Sequence, residues 1–140
     1  MQTTSSNITP TQVKLVRQSF RQIAGDHERF SNLFYDKLFS LYPALRGMFH
    51  HDMARQRRKV MQMMALMVAS LDQPERLYSV IRALGERHRG YGVKDSYYSL
   101  VSASLLWSLE IRLGARFTPQ VKAAWQAVCD MMIEVATTDS

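Results

Sequence analysis

Three polar side chains fall on lines that otherwise carry apolar ones. Leu77, Val80, Ile81 and Leu84 recur at three and four, and a further step of four lands on His88, so the imidazole should point inward with them. Stepping back four from Val60, Met63, Met64 and Met67 reaches Gln56 on a second inward line. Tyr35, beside Phe34, belongs near the buried side of a third helix. Singly, each has an ordinary reading. His88 is open between a hydrogen-bonded core residue and a ligand, and Tyr35 and Gln56 between a mutual bond, bonds to backbone carbonyls and a role in a site, because buried polar groups need partners. Jointly they suggest a cavity lined by Phe49, Val60, Met63, Met64 and Leu84, with an imidazole on one side and two neutral donors on the other. Such a cavity suits a flat apolar cofactor that holds a metal.

Helices must position these groups. Glycine and proline number six and four, and most of the prolines fall where helices begin. Thr9, Pro10 and Gln12 form an N-cap, a first-turn proline and a capping-box partner; Thr118 and Pro119 repeat the first two features, and Asp72, Pro74 and Glu75 nearly do so. Residues between these marks recur at helical spacing: Val13, Val16, Phe20, Ile23; Phe30, Phe34, Leu38, Leu41; Tyr98, Val101, Leu105, Leu109 and Arg112 or Leu113; and Val121, Ala124, Trp125, Val128, Met132, Val135. Pro43 opens a short segment through Met48, and residues 49–52 read as a loop. The expectation is an all-α protein of six main helices and one short one, with residues 1–8 a tail and 9–140 a single domain.

At 140 residues one core is the norm. The apolar run from Val60 to Leu71 is broken by Gln62 and Ser70 and is too short for a bilayer; the start carries no secretory pattern. A cytoplasmic protein without membrane insertion is expected. A single cysteine, Cys129, precludes an internal disulfide and reads as a small buried hydrophobe. The net charge of +6 favours anionic partners in general but says nothing of fold. His27, His50 and His51 read as loop or surface residues.

The segments FYDKLF (34–39), YPALRGMF (42–49), QRRKVM (56–61), ALGERHRGYGV (83–93) and KAAWQAV (122–128), in this order, make the chain resemble the globins, and most closely bacterial haemoglobins related to the haem domain of flavohaemoglobins. The resemblance runs from about Thr9 to Val135. It implies the globin fold, haem b (iron protoporphyrin IX), His88 as the proximal iron ligand, and Tyr35 and Gln56 as distal residues facing a gas. It also puts Phe49 against the haem, Val60 on the distal wall and Tyr98 on the proximal side, with Leu84 and Val93 lining the pocket. Flavohaemoglobins carry a glutamate near the end of the last helix, which falls here at Ser140, and a reductase module, so turnover would call on an external reductase.

Chemistry then follows. The Leu84 carbonyl, one turn before His88, can hold the imidazole. Donors from Tyr35 and Gln56 in a low-dielectric pocket would slow the escape of oxygen, and nitric oxide could be converted to nitrate at the same place. Arg55, Arg57, Arg58 and Lys59 read as a solvated face, with Lys59 able also to pair with a haem propionate. The expected partners are oxygen, nitric oxide or other diatomic gases, and the chain a monomer or weak dimer. A haem-based sensor acting through a partner is an alternative reading. A basic helical nucleic-acid binder is disfavoured because the basic residues are spread out and no recognition helix is evident.

Overall fold

The computed structural model describes residues 8–48, 52–90 and 94–137. Six α-helices follow in order: α1 (Pro10–Ala24), α2 (His27–Leu41), α3 (Met53–Ala69), α4 (Pro74–Gly90), α5 (Tyr97–Leu113) and α6 (Pro119–Thr137). Short 3-10 segments lie at Pro43–Met48 and Gly114–Arg116. The second was not expected from spacing. There the chain leaves α5 through Gly114 at φ +55°, a left-handed value that glycine adopts without a Cβ penalty. All four prolines open a helical segment, where a missing N–H leaves no bond unmade.

Local chemistry sets the helix starts. Thr9 accepts from the Gln12 backbone N–H at 3.1 Å while Gln12 accepts from the Thr9 N–H at the same distance, completing the expected capping box. Thr118 Oγ1 accepts from Val121 N at 3.2 Å. Asp72 behaves differently: it bonds Arg17 at 3.1 Å rather than α4, which begins instead with the Leu77 N–H on the Gln73 carbonyl. Asp52, expected in a loop, caps α3 by accepting from Ala54 N at 2.9 Å. That cap fixes the start of the helix carrying Gln56.

Packing places α2 chiefly on α5, and α1 and α4 chiefly on α6. The larger core gathers Val16, Ile23, Phe30, Leu77, Ile81, Tyr98, Leu109, Trp125 and Val128. Its hydrogen-bonded anchor is Trp125, whose indole N–H donates to Ser19 Oγ at 2.8 Å and ties α6 to α1. A smaller core of Phe34, Tyr35, Leu38, Phe39 and Leu45 lies between α2 and α5. Val60 and Leu105 pack against both.

Some stripes differ in detail from their spacing. Leu41 is exposed and the α2 stripe ends at Leu38, with Tyr35 and Phe39 buried beside it. In α6 Ala136 is buried where Val135 is only half-buried. Helix α5 buries Ser102, Ser104 and Ser108. Their small side chains allow neighbours close, and the hydroxyls of Ser104 and Ser108 return to the carbonyls of Leu100 and Ser104 at 2.8 Å, so neither of these two hydroxyls is stranded.

Candidate functional site

His88 lies two residues before the C-terminal end of α4, half-buried. Its Nδ1 is 2.7 Å from the Leu84 carbonyl oxygen one turn earlier. A carbonyl only accepts, so Nδ1 carries the proton, and the position left for a lone pair on the ring is Nε2. The Tyr98 ring, from α5, stands 6.3 Å away at 49°. Tyr98 is buried and Leu84 half-buried.

The height of α4 over α6 is set by Gly85. A Cβ there would run into the Ala136 backbone carbonyl, so only glycine lets the two helices come this close. Gly85 follows the residue that holds His88, and the close approach therefore also fixes the imidazole.

Tyr35 and Gln56 meet across α2 and α3. Gln56 Nε2 donates to the Tyr35 hydroxyl oxygen at 3.3 Å. Tyr35 is 5% exposed, wedged edge-on against Phe34 at 5.0 Å and tilted against Phe39 at 5.8 Å. Burial raises its phenol above the ordinary tyrosine range, offset in part by the Gln56 bond and the positive charge of Arg57. The hydroxyl is therefore neutral at physiological pH and keeps its proton for donation.

Two polar pairs result, Tyr35 with Gln56 and His88 with the Leu84 carbonyl. Helix α5 connects them, carrying Tyr98 beside His88 and Val101 and Leu105 against the Tyr35 cluster. Val60, one turn after Gln56, is half-buried between both cores, whereas Lys59 is exposed. Phe49, Val93, His50, His51 and Ser140 lie outside the described residues, as do residues 1–7. His27 is exposed at the first position of α2. An imidazole held through Nδ1 so that Nε2 is its ligating atom, near half-buried apolar side chains, matches the donor that haem iron takes from a protein. The Tyr35–Gln56 pairing was one of several readings open to the sequence; the Asp52 cap and the Gly85 approach were not read from it, although glycine inside an amphipathic helix signals a close contact.

Among the described residues no helix is long and apolar enough to cross a membrane, and no group of three or more His, Cys, Asp or Glu is placed to hold a metal ion.

Comparison with known proteins agrees with the helical architecture. The chain is 25% identical over 117 residues to the flavohemoprotein of Bacillus subtilis (strain 168), a match covering 81% of this chain and 29% of that protein. It is 27% identical over 95 residues to the flavohemoprotein of Rhizobium meliloti (strain 1021), covering 66% and 24%. Against neuroglobin-1 of Oncorhynchus mykiss the identity is 26% over 132 residues, covering 84% and 83%. The chain thus spans less than a third of either flavohemoprotein and most of the neuroglobin. The family model described as Globin matches residues 32–136, well over half of the length, and the chain belongs to the globin family, whose members bind haem.

Proposed function

We propose that Nε2 of His88 would hold haem b in this globin, and that Tyr35 and Gln56 would act on oxygen or another diatomic gas bound by that haem and set how long it stays. The observation that carries the reading is the 2.7 Å contact between His88 Nδ1 and the Leu84 carbonyl, which fixes the tautomer and ring orientation a proximal ligand needs. Haem, when bound, supplies an iron that accepts a diatomic gas and shares electron density with it. Tyr35 then acts as a neutral donor. By accepting from Gln56, its oxygen becomes more negative and its own O–H a stronger donor. Val60 and Leu105 exclude water from the same region, which strengthens each hydrogen bond there.

The likeness to flavohaemoglobins supports a finer reading, conversion of nitric oxide and oxygen to nitrate. That reaction consumes an electron, so it calls on a reductase. Lys59, exposed one turn from Gln56, would pair with a haem propionate at the rim. Stopped-flow displacement of oxygen tests the distal assignment. Tyr35→Phe should raise the oxygen dissociation rate about tenfold, as expected for one hydrogen bond of ~1–1.5 kcal/mol, and Gln56→Leu should raise it in the same direction. Rates unchanged in both variants would remove Tyr35 and Gln56 from the site.

A further inference from the structure

Outside the His88 region, α1, the start of α2 and the outer face of α3 enclose an open hollow of about 300 Å³. Its deeper wall is apolar: Met61 is buried, and Phe20 and Ala24 are half-buried. At the mouth stand His27, Arg58 and Gln62, all exposed, with Ala65 completing the rim. An apolar floor with a cationic and hydrogen-bonding mouth is the pattern of a site that takes a small ligand with one charged end.

The charge of that end follows from the neighbours. Arg55 and Lys59, also exposed, flank Arg58 on α3. The ion pairs among the described residues join Arg17 to Asp72 and Arg112 to Asp26, so neither engages Arg58, and Asp26 beside His27 is already committed. Glu28, next to His27 in the sequence, is exposed and does not line the hollow. We propose that this hollow binds small amphiphilic carboxylates, the apolar tail against Phe20, Ala24 and Met61 and the carboxylate on the Arg58 guanidinium, with Gln62 donating a further hydrogen bond.

Octanoate titrated into the haem-loaded protein, followed by calorimetry and by the Soret band together, tests this. Saturable binding with a Kd of ~1 mM or tighter is expected for a ligand of this size, with the Soret band unmoved. Octylamine, of the same length and opposite charge, should bind at least about tenfold more weakly. Arg58→Glu and, separately, Ala65→Trp, which fills the hollow, should each weaken octanoate about tenfold or more while far-ultraviolet circular dichroism and haem content stay as in the unmodified protein. Octanoate binding that shifts the Soret band and ignores both substitutions would place the carboxylate in the haem pocket and overturn the proposal, as would an absence of saturable binding. Neither result bears on His88 as ligand, because neither variant touches it.

Discussion

A buried hydroxyl and a buried thiol show how burial alone assigns different chemistry to different side chains. Tyr35 stays protonated because its anion would be desolvated, and so it serves as a donor. Cys129 is driven by burial to a pKa of about 11, only partly relieved by a bond to Ser102. The thiolate is the reactive form, so Cys129 should resist iodoacetamide in the native protein and be alkylated rapidly once the chain is unfolded in denaturant. Equal labelling rates in the two states would show that α6 does not shield it. The places where polar side chains interrupt apolar stripes were legible from spacing alone, because helical periodicity fixes direction. Which partner Gln56 takes was not, since 21 residues separate it from Tyr35 and the crossing of α2 and α3 decides the distance.

Helix boundaries were legible wherever the signal was local, as in the Thr9 capping box. The start of α4 at Pro74 was legible too, but its cap was not, because a long-range partner intervened: Asp72 has the right type and place to cap α4, yet Arg17 of α1 claims it while also donating to the carbonyls of Val68 and Ala69 at the end of α3. The Arg17 bond holds the Asp72 carboxyl below its ordinary range. A carboxylate depressed on folding stabilises above its unfolded pKa, and that contribution is lost as pH falls through the lower folded value. Asp72→Asn should therefore lower the thermal midpoint near neutral pH, with the difference fading as pH falls through the carboxylate range; a constant gap at all pH would deny the ion pair a role. Packing between elements is equally specific at Gly85. Gly85→Ala pushes α4 away from the Ala136 carbonyl and should destabilise by ~1–3 kcal/mol, read as a lower urea midpoint, with weaker haem retention because His88 moves with the helix. A neutral or stabilising effect would mean that α6 yields freely.

For the whole molecule, the all-helical class was legible because scarce glycine and proline, capping motifs and one consistent period agreed with one another. Spacing placed α5 through Tyr98, Val101, Leu105 and Leu109; what it did not reveal was that the helix also buries serines, polar by type but small enough for tight helix contacts. That helix joins the two polar pairs, so the arrangement of the site is a property of the packed molecule and not of any one segment. The proposed function rests on His88 as the ligand to haem iron, and haem titration of His88→Ala beside the unmodified protein tests this most directly. The expected result is loss of stable haem uptake or a displaced Soret band, restored toward the original by added imidazole. A variant that takes up haem with the same affinity and the same ferric and ferrous spectra would contradict the account.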